Sequence, residues 1–180
     1  MPVDLKKGVH SALVCALTTG DNAVYRRAVE ALCARFGDTV EESAIYAADA
    51  AGYYAPEMGE GLHKQLVCFS RLVPPEDLYE CKLDAVEIEK VLAHEEQGAL
   101  RRRANIDPGL LSLGSLVLST SKCVPHRICI GPGIWAETTL LYQKGAYRPQ
   151  PWTYLDYQRA DVQEFLLRCR RWLRGQLRSV

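Results

Sequence analysis

The chain has no C-x-x-C pair, no G-x-x-x-x-G-K-S/T string, no apolar run long enough to span a bilayer and no excess of charge of either sign. Each absence removes a class of function. Without the P-loop string there is no lysine-bearing glycine loop to cradle phosphates, which excludes a P-loop nucleotide hydrolase. Lys plus Arg equals Asp plus Glu at 22 each, so no global field pulls in nucleic acid or an anionic membrane. The cysteines are Cys15, Cys33, Cys68, Cys81, Cys123, Cys129 and Cys169, odd in number and scattered. No Cys/His quartet has zinc-finger spacing, so we expect neither a disulfide framework nor a metal site, and a reducing, cytoplasmic compartment. Basic residues occur in Met1–Lys7, but the apolar run after them is short and strand-like, which predicts no signal peptide and no membrane span.

What is present suffices for one folded unit. A chain of 180 residues buries roughly 70% of its unfolded surface. No Ser/Gly-rich linker, internal repeat or low-complexity tract divides it, so residues 1–180 read as a single domain. Val9 to Leu17 reads as a buried strand, and Asp21 and Asn22 as caps of a helix ended by Gly37. Thr39 to Tyr46 reads as a second strand, followed by a loop punctuated by Gly52, Pro56, Gly59 and Gly61. Gln65 to Val73 is a third strand. Pro74-Pro75-Glu76-Asp77 opens a helix with the stripe Leu78, Cys81, Ala85, Ile88 and Leu92, and Gly98 is read as its end. Ala104 to Ile106 is a short fourth strand.

Asp107-Pro108 then resembles an N-cap with proline at the first helical position, which predicts a helix over Leu110 to Ser121. Gly131-Pro132-Gly133 separates two strand-like arms, His126 to Ile130 and Ile134 to Tyr142. Pro149 to Tyr154 reads as irregular. A last helix from about Asp161 to Leu177 has an apolar face, with Arg170, Arg171, Arg174 and Arg178 opposite. The order gives an α/β (α+β) fold: a ferredoxin-like βαββαβ core with a C-terminal helix–hairpin–helix elaboration. We expect an antiparallel or mixed sheet with helices mainly on one face.

Several tempting motifs have plainer readings. Gly131-Pro132-Gly133-Ile134-Trp135-Ala136 fits G-x-G-x-x-A, but a dinucleotide fingerprint needs a helix next and a strand follows instead. The turn before Asp21 opens a helix, yet Asp21 repels phosphate and plain capping is favoured. Arg101-Arg102-Arg103 and the last helix's arginines read as solvated faces, with no specific nucleic-acid signal because no aromatics interleave with them. Cys123 and His126 suggest a nucleophilic pair, against which stands the usual packing role of free cysteines.

The more informative cluster is Asn105, Asp107, Lys122, His126, Arg127 and Glu137. If Ile130 pairs with Trp135, His126 and Glu137 are diagonal neighbours on one face. A slip of one residue puts Arg127 opposite Glu137. Either register gives a mid-strand carboxylate the partner it needs if buried. The cluster reads either as an ion pair that fixes register or as a ligand pocket.

Three stretches together resemble a known family: Asn105-Ile106-Asp107-Pro108-Gly109, Ser119-Thr120-Ser121-Lys122 followed by His126-Arg127-Ile128, and Trp152-Thr153-Tyr154-Leu155-Asp156-Tyr157. With Tyr53-Tyr54 and Glu57-Met58-Gly59, they resemble the bacterial and archaeal family "domain of unknown function forty-four sixteen" over nearly the whole chain. Asn105, Asp107, Pro108 and Gly109 match its N-h-D-P-G string, and Lys122, His126, Arg127, Glu137 and Thr139 match its basic and Glu-x-Thr strands. Trp152, Thr153, Tyr154, Asp156 and Tyr157 match its W-T-Y-P-D-Y string. Leu110, Cys123 and Leu155 depart from it, where tyrosine, an acid or amide, and proline are usual. The resemblance implies no activity and no cofactor. Some members carry a GTP-binding label, for which this chain has no motif. It adds Thr139, Trp152, Tyr154 and Asp156 to the candidate ligand-binding residues.

The leading expectation is a cytoplasmic protein that binds an anionic small molecule, a nucleotide or phosphate-bearing metabolite, with no reaction named. Lys122, His126 and Arg127 would hold the anion, and Glu137 or Asp107 would orient the histidine or act as base. The alternative is a non-catalytic subunit or adaptor whose partner surface is the Trp152–Tyr157 segment and the C-terminal helix.

Overall fold

The computed structural model describes residues 8–48, 51–96 and 98–178, with the side chains of 51–53 left out. The expectation about Met1–Lys7 lies outside the described residues. The architecture is a mixed α+β fold on a nine-stranded sheet in which every pairing is antiparallel.

Strand β1 (Ser11–Thr19) is buried along its whole length, which explains its unbroken apolar run. Alternation sends Leu13, Cys15 and Leu17 into one core and Ala12, Val14 and Ala16 into another. Helix α1 (Asn22–Phe36) follows, capped by Asp21, whose Oδ1 accepts from the Ala23 and Val24 amides at 2.7 and 3.2 Å. β2 (Thr39–Glu42), β3 (Tyr46–Ala47) and β4 (His63–Val73) come next, β2 and β3 both pairing with β4. Between β3 and β4 the expected loop contains a helix, α2 (Ala51–Met58), with Pro56 inside it. Glycine and proline concealed an element of only eight residues.

Helix α3 (Leu78–Leu92) carries the expected stripe but stops at Leu92, not near Gly98. Gly98, at φ 76°, instead lies in the turn of a hairpin, β5 (His94–Glu96) and β6 (Ala99–Arg101). β7 (Asn105–Leu111) turns directly into β8 (Ser115–Thr120). The helix expected over Leu110 to Ser121 is therefore corrected to a β-hairpin. Its apolar residues divide by strand alternation, Leu110 and Val117 to one core and Leu111, Leu116 and Leu118 to the other.

β9 (Ile128–Gly131) and β10 (Ile134–Gln143) form the expected hairpin, and β10 turns through Lys144-Gly145, both at positive φ, into an unanticipated β11 (Ala146–Pro149). A 3-10 turn (Leu155–Gln158) leads to α4 (Ala160–Gln176). The main sheet order is β11-β10-β8-β7-β1-β4-β2.

Helices cover both faces, which corrects the one-sided expectation. α1 and α3 pack on the face of Leu13, Cys15 and Leu17. The apolar face of α4 (Val162, Phe165, Leu166, Cys169 and Leu173) fills the opposite side. The small side chains of Ala12 and Ala16 line that side of β1. Nor are all the basic residues solvated. Arg102 pairs with Glu57, Arg103 with Asp21, and Arg170 lies 3.6 Å over the Tyr142 ring. Among the described residues no helix is long and apolar enough to cross a membrane.

At Gly109 β7 and β8 approach closely. A Cβ there would fall 2.5 Å from Leu118 Cδ2 and 3.0 Å from the Val117 carbonyl. Gly109→Ala should therefore lower stability by about 1–3 kcal/mol. Urea unfolding checks this: a reduced midpoint at unchanged slope is expected, and an unchanged midpoint contradicts the packing described.

Candidate functional site

Pro108 creates the cavity. In an antiparallel strand the N–H and C=O of one residue point to the same side, and successive residues alternate. In β7 the side facing β8 is served by Ile106, Pro108 and Leu110. Leu110 pairs with Val117, but Pro108 has no N–H to donate. The ladder stops at Gly109–Leu118, although β7 runs on beside β1 to Asn105 and β8 runs on beside β10 to Thr120. The strands part there. Ser119 Oγ donates to the Pro108 carbonyl at 2.8 Å across the start of the gap.

The orphaned backbone of Ile106 finds its partners on α3. Its N–H donates to Glu89 Oε1 at 2.6 Å, and its carbonyl accepts from Lys82 Nζ at 2.6 Å. Two charged side chains thus stand where a neighbouring strand would be, which accounts for their burial. Lys82 also reaches Asp107 Oδ1 at 3.1 Å, and Asp107 Oδ2 accepts from Asn105 Nδ2 at 2.6 Å. Ile106 faces the α1/α3 core, so alternation turns Asn105 and Asp107 to the α4 side. Lys82 therefore meets Asp107 through the gap.

The gap opens into a cavity of about 800 Å³. Its walls come from β7 and β8, from α3 (Lys82, Val86, Glu89), from Tyr54 of α2, from Lys64 of β4, and from Tyr154 to Tyr157. Five cationic side chains line it (Lys64, Lys82, Arg102, Lys122, Arg127) against four carboxylates (Glu89, Asp107, Glu137, Asp156). Burial would raise the Asp107 carboxyl, but Lys82, Lys64 and the Asn105 hydrogen bond outweigh it and hold its pKa below the ordinary 3.8. Glu89 goes the other way. Burial raises its pKa despite Lys82 and the Ile106 amide. Asp107 is the firm anion of the two, with 28% of its side chain open to the cavity.

A second focus lies on β10. The hairpin pairs Trp135 with Cys129 and Ala136 with Ile128, so the slipped register holds and Arg127 falls opposite Glu137. A bulge beside Ile134 makes the slip. Arg127 Nε donates to Glu137 Oε2 at 2.6 Å, and His126 Nε2 lies 2.9 Å from the same oxygen. The other nitrogens of Arg127 donate to the Lys122 carbonyl at 2.9 Å and the Tyr154 hydroxyl at 3.5 Å. Burial opposes the guanidinium's charge, yet Glu137 and Tyr154 raise its pKa further. The His126 ring stacks on Trp152 at 4.9 Å between centroids.

A family model described as "Domain of unknown function (DUF4416)" matches residues 9–172. The chain belongs to that family. Comparisons with curated proteins and with solved structures each return no match.

The fold of this DUF4416 chain brings Asn105, Asp107, Lys122, Arg127, Glu137, Tyr154 and Asp156 to one cavity. His126 and Trp152 do not line it. They form the layer behind Glu137 and Arg127, Trp152 Nε1 donating to the Thr138 carbonyl. Thr139 is fully buried, and its hydroxyl has no hydrogen-bond partner among the described residues. Cys123 is exposed, while the His126 ring is engaged by Glu137 and Trp152. Among the described residues no group of three or more His, Cys, Asp or Glu is placed to hold a metal ion.

The residues that sequence reasoning missed are Lys64, Lys82, Glu89 and Arg102. Lys82, Val86 and Glu89 recur at helical spacing beside the apolar stripe of α3, so two charges on its inner flank were the available signal. Lys64 pairs with Asp156 at 2.5 Å, and Arg102 forms two bonds to Glu57 at 2.8 and 2.6 Å.

Two predictions follow from these charges. Removing one partner of a buried pair costs about 3–5 kcal/mol, and replacing both with apolar groups is often neutral. The Glu137 and Arg127 side chains are 2% and 6% exposed, so Glu137→Leu should lose that amount and Glu137→Leu/Arg127→Leu should recover most of it. Additive losses in a denaturation cycle contradict the pairing. The second concerns pH. Folded Glu89 holds its proton more tightly than the unfolded chain does, so stability falls as pH rises from the ordinary carboxylate range through its raised pKa. Asp107 has the opposite sign: its contribution is present above pH 3.8 and is lost as pH falls below it. Glu89→Gln should flatten the alkaline-side decline in a pH series of unfolding midpoints, and an unaltered slope argues against a strained carboxylate.

Proposed function

We propose that this DUF4416 chain binds a small anionic molecule in the cavity between β7 and β8. The supporting observation is the lining itself: five cations against four carboxylates. A cavity of about 800 Å³ with converging polar groups is of the size that encloses a metabolite. Lys122 and Arg127 are the anion-holding residues in this reading. His126, stacked behind Glu137, orients that carboxylate and so supports Arg127.

We further read the run from β1 to β7 as a ferredoxin-like core. The antiparallel order β7-β1-β4-β2 and the placement of α1 and α3 on one face support it. The seven free cysteines fit a reducing, cytoplasmic compartment. The adaptor reading has less support. The apolar face of α4 is spent on the core, leaving Ile128, Trp152, Tyr154 and Leu155 as the exposed apolar residues of this region.

The experiment is a thermal-shift series with inorganic phosphate, phosphate esters and carboxylates. An anion at 100 times its dissociation constant adds about 2.7 kcal/mol. Lys122→Ala should abolish the stabilisation that the anion confers on the unaltered chain. No response to any anion removes the reading.

A further inference from the structure

The carboxylates that border the cavity differ in how fully they are used. Both oxygens of Asp107 are taken, by Lys82 and Asn105. Asp156 is 4% exposed, Lys64 donates to its Oδ2, and its Oδ1 has no hydrogen-bond partner among the described residues. A buried acceptor without a donor is unfavourable, and a ligand bound beside it is one group that can supply the missing bond. Asp156 borders the same cavity as Lys122 and Arg127.

Charge decides what kind of donor suits Oδ1. Lys64 already balances Asp156, so a second ammonium would meet a neutralised pair. A hydroxyl needs only the unpartnered oxygen, and an O–H donated to a carboxylate makes a short, charge-assisted bond. Tyr154, whose hydroxyl accepts from Arg127, is two residues before Asp156, so the backbones of the two lie within ~7 Å and both side chains line the one cavity. Resting on the anion-binding reading above, we propose that the cavity takes a phosphorylated polyol. Its phosphate lies against Lys122 and Arg127, and a sugar hydroxyl donates to Asp156 Oδ1. Such a sugar phosphate, for which ribose 5-phosphate serves as the probe, is either free or part of a nucleotide.

Calorimetric titration of the full chain with methyl phosphate, ribose 5-phosphate and adenosine 5′-monophosphate tests this. Methyl phosphate carries the ester without the hydroxyls. Ribose 5-phosphate binding at least tenfold more tightly than methyl phosphate supports a free sugar phosphate. The same margin for the nucleotide alone supports a nucleotide's ribose. In either case Asp156→Asn should return the tighter ligand to the affinity of methyl phosphate, and a margin that survives Asp156→Asn overturns the hydroxyl subsite. Equal affinity for all three ligands also overturns it, yet leaves the anion reading standing. Absence of binding by all three overturns both. If Asp156→Asn does not fold, the wild-type comparison with methyl phosphate still decides the matter.

Discussion

An imide nitrogen without a proton, at Pro108, governs the middle of this molecule. Its neighbours on the same side of β7 are Ile106 and Leu110, and Leu110 alone keeps a strand partner. Once β8 turns away, Ile106 exposes a donor and an acceptor inside the protein, where neither can go unpaired cheaply. Glu89 and Lys82 answer them, one accepting and the other donating. The position of α3 against β7, the buried charges it carries and the cavity beyond them all follow from that one missing bond.

The magnitudes clarify why these charges belong there. Lys82 Nζ and Glu89 Oε1 are 3.9 Å apart, too far for a hydrogen bond, and a buried ion pair is weak evidence of stabilisation. What holds each in place is the Ile106 backbone at 2.6 Å. Hydrogen bonds to charged groups contribute roughly 1.5–3 kcal/mol, more than a neutral ladder bond. The pair is best understood as a substitute for a strand edge. It also brings a cation through the sheet to Asp107, which adds to the charge of Lys64 nearby.

The parts legible in the sequence were those with one dominant period. β1, α1, α3, α4 and the β9–β10 hairpin each follow from apolar spacing and a turn signal. β7 and β8 were not legible, because Asp107-Pro108 has the chemistry of a helix start and proline is rare inside strands. Only the broken ladder makes it tolerable there, and that is a property of the partner strand. Within the site, Glu137 was legible as a carboxylate needing a partner, and both proposed neighbours, His126 and Arg127, reach the same oxygen. The bulge beside Ile134 that chose the register left no mark on the pattern. Lys82 and Glu89 were missed since a charged helical residue ordinarily faces solvent.

The ion-pair and pocket readings of Glu137 turn out not to compete. A carboxylate 2% exposed, with an arginine and a histidine on one oxygen, is fully accounted for as a structural anchor. Yet that anchor fixes Arg127, and Arg127 in turn ties the Lys122 carbonyl and the Tyr154 hydroxyl to β10. Both of those residues belong to segments outside the sheet, and both line the cavity. The buried pair thus does for the irregular walls what Lys82 and Glu89 do for β7: it replaces missing backbone ladder with side-chain bonds. A cavity walled this way is preorganised without a rigid strand on every side, since the groups that face it are held by partners behind them.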